Sequence, residues 1–122
     1  MDTFSFKNVQ KNFSLYLDCP VRLSLDVIGG KWKLPIIHQL WDGTMRYKEL
    51  ERAISGITPK MLIKELKDLE QFGLVKREQF ATIPPTVEYS LTKYGKELEP
   101  VVAALHQFGK RYIQRIHKEE KK

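Results

Sequence analysis

The hydrophobic period of this chain changes once in its middle, and that change restricts the folds open to it. From Arg46 to Gln71 apolar residues recur at helical spacing, with a break at Ser55-Gly56. From Leu74 to Leu91 they fall into two short, partly alternating runs on either side of Pro84-Pro85. Two successive amphipathic helices followed by a hairpin is the layout of a winged helix-turn-helix. The second helix opens with two start signals, Thr58 at the N-cap and Pro59 in the first turn. Its Leu62, Leu66 and Leu69 recur at i, i+4, i+7 and form one stripe. On the opposite side lie Lys60, Lys64, Lys67 and Gln71, a row with no acid in it. A helix buried on one side and offering cations and an amide on the other suits a DNA groove. The same row also fits an ordinary solvated lysine face, so the neighbouring elements have to decide.

Those neighbours can be read from both ends. Phe6, Val9, Phe13 and Tyr16 recur at helical spacing and predict an N-terminal amphipathic helix ending before Cys19-Pro20. Val21 to Ile28 reads as a short helix with Leu23 and Val27 inward, closed by Gly29-Gly30. Lys31 to Trp41 resumes the helical period, with Trp32, Ile36 and Leu40 on one face and Pro35 near the first turn, where its ring is tolerated. Asp42-Gly43 ends that helix. Arg46 to Ile54 is the first helix of the helix-turn-helix, with Leu50 and Ile54 as core residues. After Gly73, 74–80 and 87–91 read as half-exposed strands joined by the 81–86 loop. Thr92 caps a further helix.

From Leu98 the apolar positions 98, 102, 105, 108, 112 and 116 approach heptad spacing. That stripe is longer than a small winged-helix core can cover, so it either folds back on its own domain or pairs with a second copy. The second is the expectation: a homodimer through the terminal helices, its interface built from Phe6, Val9, Phe13, Val102, Leu105, Phe108 and Tyr112. The fold class expected is mainly α with a small β-hairpin (α+β), a winged helix-turn-helix that is dimeric through its terminal helices. The expected organisation is an N-terminal dimerisation helix over 1–18, the DNA-binding domain over 19–97, and a C-terminal dimerisation helix with a basic tail over 98–122.

At 122 residues the chain is one domain, short for a typical metabolic enzyme. It has no run of 18 apolar residues, so no membrane span is expected, and its N-terminus lacks a secretory pattern. A single cysteine excludes an internal disulfide and suits a reducing cytoplasm. The net charge of +6 is weaker evidence for nucleic acid than it looks. Residues 110–122 hold six basic and two acidic residues, or +4, while 44–79 hold eight basic and six acidic, only +2. Arrangement on one helix face therefore carries more than bulk charge.

Catalytic chemistry has little to stand on. His38, His106 and His117 are scattered, with no Cys or carboxylate at ligand spacing, so no metal site and no cofactor are expected. Gly29-Gly30 lacks the pattern of a phosphate loop, and the carboxylates form no pair in an obvious cleft.

The run Cys19-Pro20-Val21 through Ile28-Gly29-Gly30-Lys31-Trp32, then Asp42-Gly43 and Arg46-Tyr47-Lys48-Glu49-Leu50, resembles the HxlR-type transcriptional regulators. So do Gly56-Ile57-Thr58-Pro59-Lys60-Met61-Leu62, Leu66-Lys67-Asp68-Leu69-Glu70, Gly73-Leu74-Val75, and Pro84-Pro85 with Val87-Glu88-Tyr89-Ser90-Leu91-Thr92 and Gly95. The resemblance covers roughly residues 19–109 in unbroken order. It implies a dimeric winged-helix protein that binds double-stranded DNA at a near-palindromic operator and regulates transcription. Three positions depart from the family's habit: Ile63 where a small polar residue is common, Glu65 where a polar or basic one is, and Thr86 where Arg or Lys often follows the two prolines. Ile63 is placed either to touch a thymine methyl or to pack on a neighbouring helix.

The DNA-binding residues expected are Arg46, Thr58, Pro59, Lys60, Lys64 and Lys67 on the helices and Lys76 and Arg77 on the hairpin. The alternative is a winged-helix module that binds protein or RNA without a specific DNA site. It is disfavoured because such a module has no need of the lysine row and a basic hairpin strand. Cys19 is a candidate redox sensor. It precedes Pro20 at an expected N-cap, where the helix dipole and Arg22 favour a thiolate and Asp18 opposes it. The resemblance points the same way, since some members respond to oxidants or electrophiles through a cysteine at this position; an effector of that kind, unidentified, belongs to this reading. A buried cysteine that merely caps the helix is the other option.

Overall fold

Three buried leucines organise the centre of the protein. In the computed structural model, which describes residues 10, 11 and 13–120, Leu62, Leu66 and Leu69 fall on one side of helix α5 (Pro59–Gln71). They meet Ile36 and Ile37 of α3 (Lys33–Gln39), Leu50 of α4 (Tyr47–Ala53), and Val75 and Tyr89 of the sheet. The i, i+4, i+7 spacing does this directly, because it places all three leucines within one stripe of the helix surface. Phe13–Tyr16 is helix α1 and Pro20–Ile28 is α2. Tyr16 is buried, and burial raises its phenol pKa, with a hydrogen bond to Asp26 adding to the rise.

Local signals set the boundaries of α5. The Thr58 hydroxyl accepts from the Met61 N–H at 3.1 Å, and Pro59 opens the first turn. At the other end the Leu74 N–H reaches the Leu69 carbonyl and the Gly73 N–H that of Glu70, with Gly73 at φ +77°. This is the doubly bonded helix exit that needs a left-handed residue, which is why glycine stands there.

The chain then enters β2 (Val75–Phe80) and returns through β3 (Thr86–Leu91). The register pairs Val75 with Leu91, Arg77 with Tyr89, and Phe80 with Thr86. A third strand, β1 (Met45–Arg46), pairs antiparallel with β3, giving the order β1-β3-β2. Two residues carry no period, so the sequence pattern predicts only the hairpin. The helix expected over Lys31–Trp41 is shorter, Lys33–Gln39, and tightens into a 3-10 turn at Leu40–Asp42. Thr92 caps the short α6 (Lys93–Lys96) by accepting from the Gly95 N–H. Helix α7 (Glu99–Glu120) completes the fold. The architecture is a winged helix-turn-helix, with α4 and α5 as the helix pair and the β2–β3 hairpin as the wing.

No helix among the described residues is long and apolar enough to cross a membrane.

Candidate nucleic-acid interface

The exposed side of α5, the start of α4 and the inner face of the wing enclose an open cleft of about 1200 Å³. Helix α4 and the residue before it contribute Arg46, Lys48 and Arg52, α5 contributes Ile63 and Lys67, and the wing contributes Arg77 and the Pro84-Pro85 turn. The Tyr47 hydroxyl donates to the Pro59 carbonyl at 3.4 Å and ties the two helices together at the mouth of the cleft. Burial raises the Tyr47 pKa, with the Glu51 carboxylate adding to it, so the phenol keeps the proton this bond needs. At the start of α4 the Arg46 N–H donates to the Glu49 carboxylate at 2.9 Å, leaving the Arg46 side chain exposed at the cleft.

Of the lysine row expected on α5, Lys60 and Lys67 are exposed and make no ion pair among the described residues. Lys64 is different, and here the acid-free row needs correction. Its ammonium donates to Asp68 Oδ2 at 3.0 Å and lies 3.5 Å from Glu65 Oε1. Asp68 sits one helical turn on, only about 40° around the axis, so it flanks the row even though it is not in it. The hydrogen bond to Asp68 raises the Lys64 pKa, and its charge and that of Glu65 add to the effect against partial burial. Both carboxylates are also held by Lys33 of α3, at 2.7 Å from Glu65 Oε2 and 3.3 Å from Asp68 Oδ2. Glu65, a departure from the family's habit, is thus the partner of a buried lysine. Ile63 is 44% exposed and lines the cleft.

The wing divides the two basic residues expected of it. Strand alternation turns Arg77, opposite Tyr89, into the cleft, while Lys76 lies on the other face and pairs with Glu78 at 3.5 Å. At the tip, the Thr82 hydroxyl donates to the Pro84 carbonyl at 2.7 Å and shares a 2.8 Å hydrogen bond with the Thr86 hydroxyl. Thr86 therefore braces the turn. Sequence patterning does not single out Lys48 and Arg52. Their i, i+4 spacing is a visible signal, but only the placement of the wing shows that they face the same cleft as Lys67.

Cys19 occupies the N-cap of α2 as expected, and it is exposed, which overturns the buried alternative. Its side chain makes no cap hydrogen bond; the backbone carbonyl accepts from the Arg22 and Leu23 N–H groups instead. Of the dimer residues expected, Phe6 and Val9 lie outside the described residues. Phe13 is 56% exposed, Leu105 49%, Phe108 59% and Tyr112 47%, while Val102 is half-buried. Phe108 and Tyr112 stack at 5.9 Å between ring centres. No cluster of three or more potential metal ligands occurs among the described residues.

The HxlR-like helix-turn-helix family matches residues 27–117. Over 102 residues the chain is 44% identical to the uncharacterized HTH-type transcriptional regulator YdeP of Bacillus subtilis (strain 168), covering 84% of this chain and 80% of that protein. Among solved structures, the redox regulator HypR in its reduced form superposes with a TM-score of 0.76 at 41% identity, covering 81% of this chain and 98% of HypR. The reduced form of the transcriptional regulator YodB from B. subtilis does so at 0.68 and 33% identity, covering 77% of this chain and 92% of YodB. HypR is also known in an oxidized form and YodB after diamide treatment. With its helix pair and wing in place and most of its length matched, this chain belongs to the HxlR-like helix-turn-helix family of transcriptional regulators.

Proposed function

We propose that the protein is a homodimer that binds a near-palindromic operator in double-stranded DNA and regulates transcription from it. The observation that carries this reading is a set of cations with no ion pair among the described residues, Lys67 on α5 with Arg46, Lys48 and Arg52 at α4, on one side of an open cleft whose far wall is the wing, with Lys60 exposed at the start of α5 outside that lining. In this reading α5 enters the major groove, Thr58 and Pro59 bring the helix N-terminus to a phosphate, and the lysines follow along the exposed face. Ile63 meets a thymine methyl, and Arg77 with the braced 81–86 tip approaches the backbone or the minor groove. Lys76, on the outer face of the wing, reaches the backbone from that side. Two copies related by a two-fold axis then require half-sites one or two helical turns apart.

The test is a mobility-shift titration on the DNA upstream of the protein's own gene. Replacing Lys60 and Lys67 by alanine should lower the slope of log affinity against log salt by about 0.9 for each phosphate that is no longer neutralised. Unchanged binding by the double variant would remove α5 from the interface.

A redox function is proposed for Cys19. Its exposure at a helix N-cap supports this, as does the likeness to HypR, a redox regulator, and to YodB. As the sole cysteine, it can form a disulfide only with the partner subunit's copy or a small thiol. In either case two thiol hydrogens and two electrons pass to the oxidant as the S–S bond forms. Diamide, which accepts them, should change DNA binding by the unaltered protein and leave Cys19→Ser unaffected. An equal response in both proteins would exclude Cys19 as the switch.

A further inference from the structure

The four-residue cluster on the flank of α5 contains a division of labour. Lys33 and Lys64 share two carboxylates, Lys33 taking Glu65 Oε2 and Asp68 Oδ2 and Lys64 taking Glu65 Oε1 and the same Asp68 Oδ2. The two lysines are not equivalent. The Lys33 side chain is 11% exposed and stands in the first turn of α3, whereas that of Lys64 is 48% exposed and stands on the helix proposed to enter the groove. The carboxylate side chains are only 15% and 17% exposed. If Lys64 left them with no other cation present, two part-buried negative charges would stand unpaired beside the DNA, a costly arrangement. Lys33 lowers that cost because it is already paired with both of them and is itself largely buried.

We infer that Lys33 is a positioning residue for DNA contact: by holding both Glu65 and Asp68 from behind, and so halving their net charge, it frees Lys64 to exchange Asp68 for a phosphate. The inference rests on the DNA-binding reading and extends it to a residue that does not touch DNA. In the free protein Lys64 is parked on Asp68; in the complex its place in the cluster is empty and Lys33 alone stays paired with both carboxylates, leaving one net negative charge in place of two. Lys33 thus sets how many of the α5 cations are available.

Fluorescence anisotropy with a labelled mixed-sequence duplex, titrated over a range of salt, reads this directly, because the slope of log affinity against log salt reports how many phosphates are neutralised. Lys64→Met should lower the slope by about 0.9 per subunit. Lys33→Met should lower it by the same amount, since Lys64 is then retained by two carboxylates. The double variant should lower it no further. Lys33→Arg should keep the original slope, and Lys33→Met combined with Glu65→Gln and Asp68→Asn should restore it by releasing Lys64. If Lys33→Met fails to fold, Lys33→Gln keeps hydrogen-bond donors for the carboxylates without the charge and should show the same reduced slope. An original slope in a folded Lys33→Met or Lys33→Gln protein, with Lys64→Met still reduced, would overturn the role of Lys33 and leave the interface standing. An original slope in Lys64→Met would overturn it from the other side. No salt-dependent DNA binding by the unaltered protein would overturn the interface itself.

Discussion

At the scale of single residues, the proposed interface depends on which cations are already paired. Lys60, Lys64 and Lys67 share a helix face and a chemistry, yet among the described residues only Lys64 is paired with carboxylates. Its hydrogen bond to Asp68 raises its pKa above the ordinary lysine value. A lysine whose pKa is higher folded than unfolded holds its proton more tightly in the folded protein. Its contribution is therefore complete below the ordinary lysine pKa of about 10.4 and is lost as pH rises through the raised value. NMR titration of the Lys64 ammonium should show a midpoint above the ordinary lysine value, and Asp68→Asn should lower it. A Lys64 midpoint at or below the ordinary lysine value would break the pairing. Lys64 is half exposed, so solvent screening keeps the effect on stability small.

At the scale of elements, α5 has to be rigid to serve as the reading helix proposed for it, and its buried side should hold it more firmly than its ends. Leu62 is fully buried, and truncating such a side chain removes both transfer energy and packing. Leu62→Ala should cost about 2–5 kcal/mol in chemical denaturation. Thr58→Ala, which removes one cap hydrogen bond, should cost about 0.5–2 kcal/mol. Equal costs would mean that the caps, and not the core, hold the helix. Gly95 offers a sharper test of α6. A Cβ there would run into the Leu74 carbonyl and press on Leu91, so Gly95→Ala should destabilise the protein although alanine is the better helix former.

At the scale of the whole molecule, the outstanding feature is α7. It spans 22 residues, about 33 Å at the usual rise, and none of them is buried within the protomer. Leu105, Phe108, Tyr112 and Ile116 recur along one side, each at least 45% exposed. A helix draws most of its stability in water from packing an amphipathic face. The expected outcome is a dimer at micromolar concentration in sedimentation equilibrium, with Leu105→Glu combined with Phe108→Glu giving monomer or insoluble protein. A monomeric unaltered protein would rule out assembly through α7. The same two-fold arrangement is what a near-palindromic site needs.

What the sequence determined by itself is the part governed by local rules. Hydrophobic period, the Thr58-Pro59 start and the glycine exit at Gly73 depend on residues a few positions apart, so α5, the wing and the core leucines are legible in the amino-acid order. The N-cap place of Cys19 is legible for the same reason, since Pro20 marks the first turn. Tertiary structure alone decided the rest. Strand β1 exists because β3 offers it an edge, and its two residues carry no pattern of their own. Lys33 and Glu65 lie 32 positions apart and look like two surface charges until α3 packs on α5. Lys48 and Arg52 become part of the cleft only when the wing closes it opposite them. In each case the deciding interaction joins groups distant along the chain, and periodicity reports which face of an element is buried but not which element covers it or which charges that packing brings together.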